Sequence, residues 1–319
     1  MQGEFFFDDA FSAQEYAKQH PGSVLTRVNG ADGYVVYKDE IEIKKKIRGV
    51  SPQSILDYLN LHVISQNEAK EEIALALYYH HQKYQIREEK NVRNNGPVML
   101  IGPTGTGKTF MVQKACECIE IPFIHVDTAS LVPEGYRGYS ISNLMEDILE
   151  KSNYDIDKAE HSVVFFDEVD KLFTPDEITA DFYVNVAQQM LLMIEGTSFK
   201  FAHTISVDVK EIDGLNTSNM QFIFGGAFQW LLDEREYEAP VMGFASTQKS
   251  QTTSFLSVED LYSSGVAKEF LGRVSTVVSL LPLSKEDIYT VLTQSKSTPI
   301  NKYIDKIIQN DCRVKIPDS

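Results

Sequence analysis

Residues 102–109 read Gly102-Pro103-Thr104-Gly105-Thr106-Gly107-Lys108-Thr109, which satisfies G-x-x-x-x-G-K-[ST] at every fixed position. The apolar run Val98-Met99-Leu100-Ile101 directly before it predicts a strand, and a helix is predicted from Lys108. A glycine-rich turn in that setting lets successive backbone N–H groups point inward around a phosphate, while the helix N-terminus adds partial positive charge. Lys108 is suited to neutralise β- and γ-phosphate oxygens, and the Thr109 hydroxyl to ligate Mg2+. Residues 102–109 are therefore candidate ATP-binding residues, and the strand–loop–helix unit they form belongs to α/β proteins.

Ser162-Val163-Val164-Phe165-Phe166-Asp167-Glu168 is an apolar strand that ends in two carboxylates, the pattern of a Walker B segment. Asp167 is the candidate holder of the magnesium shell. Glu168 is placed to orient or deprotonate the water that attacks the γ-phosphate. A small GTPase would need a base-reading Asn-Lys-x-Asp, and the chain offers only Asn301-Lys302-Tyr303-Ile304. A small-molecule kinase has no need of a water-activating Glu beside the magnesium carboxylate.

Between and around these motifs, short apolar segments alternate with helical patterns. Residues 123–126 and 163–166 read as strands, and helices are predicted near 142–151 and from Ser284-Lys285-Glu286-Asp287. A further helix is expected over 301–309. Such alternation predicts a parallel sheet covered by helices. Upstream, Asn67 is placed to start a helix with Ala69, Ile73, Leu77 and Tyr84 near one face, and Ser51-Pro52 marks a boundary. Residues 1–50 read as a small α+β module, with a capping box at Ser12-Ala13-Gln14-Glu15 and strands at 24–28, 34–37 and 40–44.

The 319 residues suffice for about two domains. Acidic side chains outnumber basic ones 46 to 30, and the resulting charge of −16 argues against a nucleic-acid partner. The one compact basic run, Lys44-Lys45-Lys46 with Arg48, reads as a solvated strand edge. Met1-Gln2-Gly3-Glu4-Phe5-Phe6-Phe7-Asp8-Asp9 has acidic flanks and too short an apolar run for a signal peptide, and no stretch approaches the roughly 18 apolar residues of a membrane span. The cysteines, Cys116, Cys118 and Cys312, do not make a four-cysteine zinc site or a disulfide framework. The expectation is a cytoplasmic protein with no membrane partner.

Several further segments resemble the ClpX branch of the AAA+ ATPases. His62-Val63-Ile64-Ser65-Gln66 and Glu68-Ala69-Lys70 are similar to the family's adenine-side segment, which makes Val63 and Ile64 candidate nucleotide contacts. Asn153-Tyr154-Asp155-Ile156-Asp157-Lys158-Ala159, Asp167-Glu168-Val169-Asp170-Lys171 and Gln188-Gln189-Met190-Leu191-Leu192-Met193-Ile194-Glu195-Gly196-Thr197 also match, so the likeness covers roughly residues 51 to 315. Glu134-Gly135-Tyr136-Arg137-Gly138 stands where the family carries an aromatic pore loop, which makes Tyr136 the candidate gripping residue with Arg137 beside it. Glu269-Phe270-Leu271-Gly272-Arg273 resembles the segment whose arginine reaches the next subunit's ATP. Met242-Gly243-Phe244 lies where the family has a loop that docks on a ClpP-type peptidase, and Phe222-Ile223-Phe224-Gly225-Gly226-Ala227-Phe228 is similar to the strand and turn before its sensor region.

The resemblance implies a P-loop AAA+ three-layer sandwich over residues 51–283, preceded by the 1–50 module and followed by an incomplete helical small domain over 284–319. It implies an ATP hydrolase of the chaperone class, acting as a homo-hexamer with ATP and Mg2+ and threading protein substrates through its pore. In that reading Lys108, Asp167, Glu168 and Arg273 are catalytic, and Thr109 and Asp167 hold the metal. The sequence departs from the family in five places. Ser65 replaces a Gly, Arg137 replaces an aliphatic residue, residues 1–50 lack the family's zinc module, and the text stops before a Gly-Ala-Arg sensor-2 segment. The segment between Thr197 and Asp208 reads as a short loop with only Lys200 and His203 in place of a basic pore element. These departures motivate a second reading, a nucleotide-binding scaffold or regulator with weak or no hydrolysis.

Overall fold

The computed structural model describes strands at 4–7, 24–27 and 34–37, and residues 50–85, 96–173, 180–205, 210–231, 256, 258–263 and 265–293. The chain divides into two compact units, one formed by residues 65–284 and the other by residues 1–64 together with 285–319.

In the second of these, β1 (Glu4–Phe7), β2 (Val24–Arg27) and β3 (Tyr34–Tyr37) form an antiparallel sheet in the order β1-β3-β2. The sequence predicts β2 and β3, whereas β1 was read only as an apolar run too short for a leader. The expected helix at residue 12 and strand at 40–44 lie outside the described residues. Helix α1 (Pro52–His62) starts at the Ser51-Pro52 boundary for a local reason. Ser51 Oγ accepts from the Ser54 N–H at 3.1 Å and the Ser54 hydroxyl accepts from the Ser51 N–H at 3.0 Å, while Pro52 needs no partner for an N–H it lacks.

The larger unit opens with α2 (Asn67–Gln85), then β4 (Val98–Ile101), α3 (Lys108–Ile119), β5 (Phe123–Asp127), α4 (Ile141–Lys151), α5 (Ile156–Glu160) and β6 (Val163–Asp167). It continues through α6 (Ala180–Glu195), β7 (Ser198–Ile205), β8 (Lys210–Asn216), β9 (Gln221–Gly226), α7 (Val258–Ser263), α8 (Lys268–Leu271) and β10 (Thr276–Ser279). Helix α9 (Lys285–Thr293) falls in the other unit. Five strands form one sheet in the order β10-β4-β9-β6-β5, and every neighbouring pair is parallel. This is the predicted parallel sheet with flanking helices.

The sequence dictates this because β4, β6 and β9 are apolar almost throughout, as strands covered on both faces must be. Met99, Ile101, Val164, Phe166, Phe222 and Phe224 enter one core with Ile141, Leu144, Met145, Ile148 and Leu149 of α4, which recur at helical spacing. Phe166 stacks on Phe224 with ring centroids 5.7 Å apart, and Phe224 meets Phe270 of α8 at 4.8 Å. The alternate residues Leu100, Phe165 and Ile223 are fully buried as well. Helix α3 packs on β5 and β6 without joining that first core, so it covers the opposite face, with α2 packed on it. The segment read as a short loop after Thr197 is instead the antiparallel pair β7–β8. Gly214 is required there because a Cβ would lie 2.0 Å from the Phe199 carbonyl oxygen.

His80 of α2 is buried and hydrogen-bonds through Nε2 to the His161 carbonyl at 2.8 Å. Burial lowers its pKa to about 4, with that hydrogen bond opposing the shift. The imidazole is therefore neutral in the folded chain and protonates in the unfolded one, so stability falls as pH drops from about 6.5 towards 4. His80→Gln, which keeps a donor for the carbonyl, should lose less stability than the wild type between pH 7.5 and 5, by an amount on the order of 1–3 kcal/mol in urea unfolding.

Candidate nucleotide site

The parallel sheet aligns the C-terminal ends of its strands along one edge, and β4 delivers residues 102–109 there. The Gly102 N–H donates to the Gly226 carbonyl at 3.1 Å, so the loop leaves the sheet still bonded to β9. A Cβ at Gly102 would stand 2.6 Å from the Leu280 carbonyl oxygen, which reserves the position for glycine. Gly105 and Gly107 have φ of +84° and +92°, the left-handed region, and face open space. The Thr106 hydroxyl donates to the Pro103 carbonyl at 2.9 Å and stiffens the turn. Lys108 folds its ammonium back under the loop, donating to the carbonyls of Gly102 at 2.6 Å and Pro103 at 3.1 Å. Burial lowers the Lys108 pKa, while Asp167, Asp170 and Glu168 act in the opposite direction.

Because α3 packs over β5 and β6, its first turn lies against the end of β6. There the Thr109 hydroxyl donates to Asp167 Oδ2 at 2.7 Å. The other carboxylate oxygen of Asp167 accepts from the Glu168 N–H at 2.9 Å. Glu168 itself is exposed with φ +55°, a left-handed conformation uncommon for a residue with a Cβ and frequent where a side chain must be aimed at a ligand. Together with Gly105, Lys108, Thr109 and Asp170, these residues line a cavity of about 380 Å³. The structure thus brings Lys108, Thr109, Asp167 and Glu168 to one place.

A triphosphate with magnesium fits this donor set. Glycines leave open space beside the loop, an ammonium lies beneath it, and a hydroxyl and a carboxylate converge at hydrogen-bonding distance. Among the described residues no cluster of three or more His, Cys, Asp or Glu could enclose a metal. A divalent ion here would complete its shell from phosphate and water, the usual habit of Mg2+.

Two residues of the site escaped the sequence reading. Asp170 is buried, accepts from the Phe228 N–H at 3.3 Å and lines the cavity. Its signal is the spacing from Asp167, since a 3-10 turn over Val169–Phe173 returns the chain to the strand end. His125 lies on β5 with Nε2 3.4 Å from Asp167 Oδ2, brought there by the in-register pairing of Asp127 with Asp167. Nothing local in the sequence announces that neighbour.

The other candidates lie elsewhere. Tyr136 is 66% exposed on a turn closed by its N–H to the Pro133 carbonyl at 3.1 Å, and its ring stands edge-on to Phe182 of α6 with centroids 5.9 Å apart. Arg137 beside it is exposed. Glu134 anchors the turn by accepting from both the N–H and the hydroxyl of Ser142 at 2.9 Å. Arg273 follows α8 and precedes β10, at the opposite edge of the sheet from the glycine loop, since Thr276 pairs with Val98 and Ser279 with Ile101. The length of β10 alone is roughly 13 Å. Val63 and Ile64 belong to the other compact unit. Met242-Gly243-Phe244 lies outside the described residues, and among those described no helix is long and apolar enough to cross a membrane.

Comparison with known proteins adds to this geometry. Residues 93–277 match the family AAA domain (Cdc48 subfamily). The chain is 32% identical over 274 residues to the ATP-dependent Clp protease ATP-binding subunit ClpX of Treponema denticola, covering 79% of this chain and 65% of that protein. It is 30% identical over 261 residues to the ATP-dependent Clp protease ATP-binding subunit ClpX 2 of Wolinella succinogenes, with the same coverage of 79% and 65%. The chain thus spans 65% of the length of these curated relatives.

Thr109→Ala and Asp167→Asn should each weaken binding of a fluorescent ATP analogue in the presence of Mg2+, by about tenfold or more, and leave the weaker binding measured in EDTA nearly unchanged.

Proposed function

This chain belongs to the AAA family, and we propose that it is a ClpX-like, ATP-dependent protein unfoldase or remodelling ATPase that works as a homo-hexameric ring. The observation that carries this reading is the Thr109–Asp167 hydrogen bond of 2.7 Å at the mouth of a cavity that Lys108 and Glu168 also line.

In this mechanism the glycine loop binds the ATP phosphates and the Lys108 ammonium turns from the loop carbonyls to the β- and γ-phosphate oxygens. Thr109 and Asp167 would hold Mg2+, which supplies charge neutralisation when bound. The Glu168 carboxylate orients a water in line with the γ-phosphorus and accepts its proton as the bond to the β–γ bridging oxygen breaks. Arg273 donates to the γ-phosphate of a neighbouring copy. Support for action in trans comes from its location across the sheet from its own glycine loop, beyond the reach of one side chain.

Tyr136 supplies the grip on polypeptide. Its exposed ring on a glycine-flanked turn offers contact area that does not depend on substrate sequence. Val63 and Ile64 would meet the adenine, residues 284–319 would begin a helical small domain, and Met242-Gly243-Phe244 would be the anchor for a ClpP-type peptidase. The cysteine usage suits a cytoplasmic location, where the buried Cys116 remains a free thiol.

Steady-state hydrolysis tests the catalytic half. Glu168→Gln should lower turnover by about 10² or more while nucleotide still binds. Equal turnover in both proteins would overturn the assignment of Glu168. Tyr136→Ala should keep ATP turnover and lose unfolding of a tagged substrate protein. Retained unfolding would remove Tyr136 from the mechanism.

A further inference from the structure

Helix α6 ends in an unusual way for its charge. Glu195 is its last residue, and no basic residue stands in its final turn. A carboxylate at a helix C-terminus faces the negative end of the dipole, so Glu195 is locally disfavoured unless a cation answers it. That cation is Arg273, whose Nη2 donates to Glu195 Oε1 from 78 residues further along the chain.

Both ends of this pair rest on fixed backbone. The Thr197 hydroxyl donates to the Leu192 carbonyl at 2.9 Å and the Thr217 hydroxyl to the Met193 carbonyl at 2.8 Å, so the last turn of α6 is capped by side chains. The Arg273 N–H donates to the Phe270 carbonyl at 3.1 Å, and Phe270 is buried against Phe224 and Phe173. The side chains themselves are open, Arg273 52% and Glu195 42% exposed. Among the described residues the guanidinium makes no other ion pair. One nitrogen is therefore pinned, and the remaining N–H groups of the planar fork stay available to a phosphate from outside.

We propose that Glu195 is the positioning residue for Arg273: it holds the guanidinium at the subunit surface in the orientation that meets the neighbouring copy's γ-phosphate. The inference rests on the reading of Arg273 as a residue acting in trans. An arginine chain loses much rotamer freedom when it docks, and a carboxylate that fixes it beforehand removes that cost from the transition state. An exposed pair of this kind contributes little to stability, so its effect belongs in turnover and not in the melting temperature.

The test measures ATP turnover, affinity for a fluorescent ATP analogue and ring mass by native mass spectrometry on the full chain. Glu195→Ala should lower kcat roughly three- to tenfold while analogue affinity, ring mass and melting temperature stay at wild-type values. Glu195→Gln, which keeps an acceptor for Nη2, should recover most of the lost turnover. In an Arg273→Ala background, adding Glu195→Ala should change nothing further. Unchanged or faster turnover in Glu195→Ala, or a further loss in the Arg273→Ala background, would overturn the proposal while leaving Arg273 in place. Wild-type turnover in Arg273→Ala alone would overturn the trans reading as well.

Discussion

Covering both faces of a five-stranded parallel sheet leaves polar chemistry only its ends. Leu100, Phe165 and Ile223 pack on one side, Met99, Phe166 and Phe224 on the other, and none of them is solvated. What reaches solvent from the inner strands is the turn that follows each one, and in a parallel sheet these turns all emerge at the same edge. Gly102 leaves β4 there, Asp167 ends β6 with Glu168 directly after it, and Ala227 follows β9. The cavity is thus a consequence of strand direction. Close packing continues up to it, since a Cβ at Gly225 would stand 2.5 Å from Phe165 Cζ and 3.2 Å from Asp167 Oδ1. The carboxylate proposed to hold magnesium is therefore braced by the core beneath it, and its position depends on glycine at that step of β9.

Helix α6 relates two of the features that lie away from this cavity. Phe182, near its start, meets the ring of Tyr136, and Glu195, its last residue, meets Arg273. Thirteen residues of helix separate them, roughly 20 Å. Between these points Val186, Met190 and Met193 are buried in the main core, so the helix is held along its length and not only at its ends. The turn carrying Tyr136 and the surface carrying Arg273 are thus attached to one rigid element, itself packed on the sheet whose far edge holds the glycine loop.

Much of this was legible in the sequence, for reasons that can be named. Strand β4 is legible at its observed bounds and β6 one residue short because a buried strand needs an unbroken apolar run, while β5, also one residue short, is an edge strand in which buried Ile124 and Val126 alternate with exposed His125 and Asp127. Residues 102–109 were legible because phosphate binding by backbone fixes glycine spacing within one local turn. Helix α4 was legible from Ile141, Leu144, Met145, Ile148 and Leu149, whose spacing only a helix places on one face. The β7–β8 pair reads as a loop in the sequence, and Gly214, which interrupts β8, is there for the close approach of Phe199. His125 and Glu195 were missed because their significance lies in a neighbour brought close by the fold, across a sheet register in one case and 78 residues of chain in the other. Local pattern carries loops and helices, while tertiary pairings of single polar residues leave no periodic trace.

The separation of Arg273 from the glycine loop has a consequence for how such a chain must operate. β10 and β4 run parallel and in register, so a residue before the first cannot approach the loop after the second without crossing the whole sheet. For Arg273 to touch a γ-phosphate, that phosphate must sit on another copy, and two copies must meet with the Arg273 edge of one against the glycine-loop edge of the next. Such a contact is head-to-tail and not self-complementary, so repeating it either closes a ring or grows a filament. The charge of −16 on each chain opposes both outcomes over long range, but that repulsion is screened beyond about 8 Å at physiological salt. At contact range a guanidinium facing bound phosphates adds an attraction that a vacant neighbour lacks. With Arg273 in the proposed trans role, nucleotide binding and subunit association would be linked through that residue, each favouring the other by the same factor.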